Sequence, residues 1–218
     1  MYNFKNYVNG FTLAEVLITL SIIGVVAALT IPSVINNVYK KQLEIGFKKS
    51  YSTISQALEM YYAENGERIT SDIAQNQLYP ILIKHIKTVK ECGIRVESCV
   101  QSDSDIYQNY NATNGIRMGK FISGQFIIND GSLVLLENSA INNQVFMSID
   151  VNGYNKKPNR LGHDLFMFQI NNNGKLLPMG LEGTDYLTCS KDSTSDLNGA
   201  GCTAKAVSDK DYFKNLPK

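Results

Sequence analysis

Three sets of residues have types and spacings suited to chemistry. A single carboxylate, Glu15, interrupts an apolar run from Phe11 to Ile31 that carries no other charge. Four oxygen-bearing side chains, Asp150, Asn152, Asn159 and Asp164, fall in one Asn- and Gly-rich stretch. Oxygen donors of this kind suit a hard cation such as calcium. They equally suit hydrogen bonds to backbone amides that shape a loop, and their spacing is not that of an EF-hand. Finally, Cys92, Cys99, Cys189 and Cys202 include no Cys-x-x-Cys pair, so neither a zinc knuckle nor a thioredoxin-type redox site is written here. An even count in an exported chain reads as disulfides. Four cysteines allow three pairings, and proximity favours Cys92–Cys99 with Cys189–Cys202. Each such bridge stabilises by roughly 2–4 kcal/mol.

Catalytic patterns are missing from the sequence. The two histidines, His85 and His163, are not accompanied by a Gly-x-Ser-x-Gly turn, a phosphate-binding glycine loop or a His-Glu-x-x-His helix. The expectation is a protein that is not an enzyme. A net charge of +1 over 218 residues also argues against a nucleic-acid partner, which calls for a strong basic excess. The one small basic cluster is Lys156, Lys157 and Arg160.

The elements that must position these groups begin with the apolar run. Phe11 to Ile31 is 21 residues long, and a helix needs about 20 to cross the hydrocarbon core. An ordinary secretory signal has a shorter apolar stretch of ~7–15 residues and a small-residue cleavage site after it. Here the small residues Ala27 and Ala28 lie inside the run, and the polar leader ends in Gly10 directly before it. A cut after Gly10 leaves the whole helix on the mature chain. An ionisable residue within a span costs about 2.5–3.5 kcal/mol at mid-bilayer, so Glu15 marks function by default.

The segment Gly10-Phe11-Thr12-Leu13-Ala14-Glu15 resembles the processing motif of type IV prepilins and type II secretion pseudopilins. The resemblance covers about the first 40 residues, with Gly24 and Pro32 where pilin stalks commonly carry a glycine and a proline. It implies that prepilin peptidase cuts between Gly10 and Phe11 and methylates Phe11. It also implies that Glu15 pairs with the N-terminal ammonium of a neighbouring subunit during assembly. Small residues such as Gly24 let helices approach closely in lipid. Pro32 removes a backbone donor and is expected to kink or loosen the helix just above it. Lys5 precedes the span while Lys40, Lys41, Lys48 and Lys49 follow it, a balance that alone favours the reverse orientation. Processing on the cytoplasmic side, implied by the resemblance, decides the orientation instead.

Beyond Pro32 the pattern becomes amphipathic. Leu43, Phe47, Tyr51, Ile54, Leu58 and Tyr61 recur every three or four residues, one face of a helix. Asn65-Gly66 is a stop signal. The stretch 78–89 reads as a short helix, and 90–120 as a disulfide-pinned loop containing a glycosylation triplet at Asn111-Ala112-Thr113. Strands are expected at 125–128, 133–137, 144–151, 164–170 and 175–177, with hairpin signals at Asn129-Asp130-Gly131 and Asn171-Asn172-Asn173-Gly174. The tail from Leu187 onward reads as a polar, disulfide-bounded surface region.

The resulting expectation is an α+β chain: a leader at 1–10, a transmembrane and assembly helix at 11–31, its amphipathic continuation at 32–65, and an extracytoplasmic head at 66–218. The head carries a four- to five-stranded antiparallel sheet. The resemblance implies a structural subunit of a pilus or pseudopilus in the bacterial inner membrane, of the minor or pseudopilin type. Its partners would be prepilin peptidase, other pilin or pseudopilin subunits, the inner-membrane assembly platform and membrane lipid. The alternative is a membrane-tethered adhesin or DNA-uptake module using the same export signal.

Overall fold

The computed structural model describes residues 10–95, 99–100, 106–139 and 144–216. The leader before Gly10 lies outside the described residues. The chain divides into two compact units, residues 1–40 and residues 41–218.

Helix α1, Leu13–Asn65, continues without interruption through Pro32. The ring removes the N–H that would bond the carbonyl four residues back, yet the flanking turns remain helical. The helix stops where the stop signal stands. Gly66 takes a left-handed φ of 75° and its N–H donates to the Tyr62 carbonyl at 2.8 Å, a glycine cap that any side chain would strain.

The second unit is built on a meander of six antiparallel strands in the order β1 to β6. These are β1 (Thr88–Glu91), β2 (Gly124–Ile128), β3 (Leu133–Ser139), β4 (Gln144–Asp150), β5 (Leu165–Ile170) and β6 (Leu176–Pro178). The count corrects the four or five strands expected. The additional strand is β1, which follows the short helix α2 (Leu78–His85). It occupies part of the stretch expected to be helical.

One sheet face is covered by α1. Leu43, Phe47, Ser50, Ile54, Ala57 and Leu58 of the helix are buried. The Phe47 ring packs 4.5 Å from Phe166 and 6.2 Å from Phe168, centre to centre. Strand alternation places Val134, Leu136, Met147 and Ile149 on that same side. At position 46 the helix and the residue just after β4 approach so closely that a Cβ would meet the Val151 carbonyl at 3.1 Å. Beside it, the Ser50 and Ser132 hydroxyls hydrogen-bond at 2.9 Å in the buried seam.

The opposite face is also covered. Leu133, Leu135, Phe146, Leu165 and Met167 form a core with Tyr107, Ile116, Phe121, Leu161, Met179 and Ala200, all from segments outside the sheet. The tail therefore departs from expectation. Helix α3, Cys202–Ser208, buries Cys202, Thr203, Ala204 and Ala206, and Phe213 reaches Phe47 and Phe166 at 5.7 Å each. Only part of the region beyond Leu187 is a polar surface.

Phe47 thus joins α1, β5 and the tail in one aromatic cluster. Phe47→Ala is expected to cost about 3–5 kcal/mol, measured by urea unfolding followed through tyrosine fluorescence. A loss below about 1 kcal/mol would mean that the helix is keyed to the sheet elsewhere.

Candidate functional site

The residues of the N-terminal motif lie at the start of α1. The Thr12 N–H donates to Glu15 Oε2 at 2.8 Å, and the Thr12 hydroxyl donates to the same oxygen at 2.7 Å. The Glu15 N–H in turn donates to Thr12 Oγ1 at 3.2 Å. This is a capping box: side chains at the cap and three residues on satisfy each other's backbone donors. It sets the one carboxylate of the run beside the positive end of the helix dipole. Thr12 was not among the residues singled out from sequence, although Thr-x-x-Glu before an apolar run is the signature of this box.

Within residues 10–40, the rest of the helix is self-contained. Thr19, Ser21 and Thr30 return their hydroxyl protons to the carbonyls of Val16, Leu17 and Val26 at 2.8–2.9 Å. Its apolar side chains stand exposed, Leu13 at 80% and Leu29 at 75%. Gly24 meets nothing within 4 Å of where a Cβ would sit. In hydrocarbon every backbone group must be satisfied internally, and a helix does so. The length and composition of α1 fit a membrane span.

In the second unit, the loop after β4 brings Asp150, Asn152 and Asp164 together. Asp150 Oδ1 accepts from the N–H groups of Asn152 at 3.2 Å and Gly153 at 2.9 Å. Asp150 Oδ2 accepts from the Tyr107 hydroxyl at 2.6 Å. Asp164 accepts from the N–H groups of Asn159 at 2.8 Å and Arg160 at 2.7 Å, and from the Asn152 side chain. Asn159 joins this cluster through its backbone, while its amide donates to the Tyr154 carbonyl at 2.9 Å. Both aspartates are fully buried. Burial, then the neighbouring Asp164, pushes the Asp150 carboxyl up to about 7 against the hydrogen bonds that favour its charge. Burial pushes Asp164 up to about 6.

Disulfides join Cys92 to Cys99 and Cys189 to Cys202. The second closes a loop that three asparagines pin from outside. Asn109 donates to the Ser195 carbonyl, Asn111 to those of Lys191 and Ser193, and Asn114 to that of Thr194, all at 2.6–3.2 Å. The glycosylation triplet at Asn111 is thus occupied as structure, its amide nitrogen already donating twice.

The histidines are packed against aromatic rings, His85 edge-on to Tyr61 and His163 beside Tyr110. In the small basic cluster, Lys156 and Lys157 are exposed and Arg160 is half-buried.

Residues 5–31 match the family described as the prokaryotic N-terminal methylation motif, the type IV pilin and pseudopilin signal. No curated protein and no solved structure matches the chain.

The raised carboxyls have a consequence for stability. Ordinary aspartates titrate near pH 3.9 when unfolded. Between about pH 4 and 7, the native loop holds protons that the unfolded chain has released. Stability is therefore highest at the acid end of this window and falls as pH rises through it. Urea unfolding is expected to give a lower stability at pH 8 than at pH 5, by about 1–3 kcal/mol, and Asp150→Asn is expected to flatten the dependence. A stability that instead rises with pH, unchanged by the substitution, would contradict the burial argument.

Proposed function

We propose that this chain is a structural subunit of a type IV pilus or type II secretion pseudopilus, of the minor or pseudopilin type. Prepilin peptidase cuts between Gly10 and Phe11 and methylates Phe11. The mature protein waits as a single-pass protein of the inner membrane with its head outside the cytoplasm, and the assembly platform then adds it to a filament. The observation that carries this reading is the juxtaposition at the start of α1. A methylation motif over residues 5–31 overlaps the start of α1, where the exposed apolar run 11–31 carries one charge, Glu15, in the first turn.

The energetics favour a helix that changes surroundings without unfolding. Its backbone is satisfied wherever it lies, so lipid and the stalks of other subunits serve equally to cover its side chains. Glu15 is held by Thr12. Cleavage after Gly10 creates an ammonium on Phe11 of each copy, and a neighbour's ammonium then competes for the same carboxylate with a full opposite charge. Gly24 provides a place where helices approach closely, and Pro32 a place where the backbone ladder already lacks one bond. The size of the unit at Lys41–Lys218 supports a minor or pseudopilin role. The head's role is structural, presenting a surface and not a reaction.

No cation is required in this reading. Each oxygen of Asp150 and Asp164 already accepts a hydrogen bond inside the loop. Calcium is expected to leave the melting temperature unchanged. A rise that Asp164→Asn abolishes would assign a cation to the loop.

The processing step is tested by intact mass and N-terminal sequencing of the membrane form, made with and without a prepilin peptidase. The expected product lacks the first ten residues and carries one methyl group on Phe11, and Gly10→Val prevents its formation. A chain left whole, or cut after Ala28, would overturn the reading.

A further inference from the structure

The second unit contains a cavity of about 410 Å³ lined by Ile116, Arg117, Lys120, Ser195, Asp196 and Leu197. Ligand pockets run from about 300 to 1,000 Å³, so this one suits a small group. Its lining is chemically mixed in a specific way. Two cations, one carboxylate and two aliphatic side chains share the same hollow. Arg117 and Lys120 are both exposed, and neither forms an ion pair among the described residues.

The carboxyl that feels Lys120 is Glu137 on β3. Burial pushes that group up to about 7, so near neutral pH it supplies less than a full counter-charge. Asp196 uses Oδ1 to accept from the Asn114 amide at 3.1 Å. Ile116 is buried and anchored by its N–H to the Tyr107 carbonyl at 2.9 Å.

One wall is also pinned by hydrogen bonds. On one side the chain from Asn109 to Ile116 is tied to the 189–202 loop by the asparagine amides, and the Cys189–Cys202 bridge closes that loop. The Asn198 amide adds bonds to the Ser190 and Ser193 carbonyls at 2.8 Å. The backbone that carries Ser195, Asp196 and Leu197 is thus held before anything binds, which lowers the entropy lost there on binding.

We propose that this cavity binds a carboxylate carried next to a short aliphatic side chain. Arg117 and Lys120 receive the carboxylate, Asp196 accepts an adjacent N–H, and Ile116 with Leu197 cover the aliphatic part. An acylated aliphatic amino acid and the C-terminus of a peptide both present this chemistry. The site lies in the second unit and is independent of whether the N-terminus is processed.

The test uses the full chain in detergent micelles and isothermal titration calorimetry with four probes. They are N-acetyl-leucine, its amide, a pentapeptide ending in leucine with a free carboxyl, and that peptide's amide. Binding by the acids and not by the amides is the expected result. High salt should weaken it, and the R117Q/K120Q double variant should weaken it about tenfold or more. Because both cations are exposed, an unchanged melting temperature will show that the variant is folded. Binding of the peptide acid alone would assign a chain terminus as the source, whereas binding of both acids shows that the free acid suffices. Equal binding of acids and amides, no binding of any probe, or full affinity in the double variant would overturn the proposal.

Discussion

One helix has to satisfy two incompatible surroundings, and the rest of the structure follows from how it does so. Along residues 13–38 of α1 the apolar side chains are exposed, with no protein core around them. Along residues 43–58 the same helix is keyed to a sheet by Leu43, Phe47, Ile54 and Leu58. Exposed apolar surface of this extent is unfavourable in water by roughly 25 cal/mol per Å². It must therefore be covered by lipid or by other apolar helices. The backbone does not oppose either arrangement, because its donors and acceptors are paired within the helix. Only Glu15 resists burial, and the capping box with Thr12 reduces that cost by satisfying the carboxylate locally.

The head solves a different problem, which is how a six-stranded sheet with one long helix covers its second face. Among the described residues, the sheet's far side is closed by segments outside the sheet at 99–100, 106–121, 161 and 179–200. Buried irregular chain must still pair its polar groups. Here Asp150 and Asp164 serve the amides of one loop. The side chain of Gln125 does the same for Val100, accepting its N–H and donating to its carbonyl. The asparagines at 109, 111 and 114, together with the Cys189–Cys202 bridge, serve the next. The loops are thus held with a rigidity usually given by regular elements. The same bonds hold the Ser195–Leu197 wall of the cavity beside Arg117 and Lys120.

Much of this architecture was legible in the residues. The helical stripe, its glycine stop and the two hairpins with Gly131 and Gly174 rest on local signals, and the backbone follows them. Strand β1 was not legible. Thr-Val-Lys-Glu lies at the sheet edge with three of its four residues exposed, and its register slips between Thr88 and Lys90. It therefore carries neither alternation nor an apolar run. The tail misled because most of its residues before Gly199 are polar, while the large apolar ones that anchor it, Tyr212, Phe213 and Leu216, come only near its end. Strands β3 to β5 read as nearly continuous apolar runs because both of their faces are covered. Asp150, Asn152 and Asp164 meet in the loop as their shared stretch suggested, but only the fold reveals Tyr107, which arrives from forty-three residues away to bond Asp150.

In the proposed filament the exposed part of α1 is covered by its counterparts in other subunits. The most direct measurement is cross-linking in the native membrane with a photoreactive residue placed at Ile22. The predicted result is a ladder of self-linked species that requires the peptidase and that Glu15→Val removes. A chain that remains monomeric throughout, or that cross-links equally without processing and without Glu15, would rule out this packing of stalks.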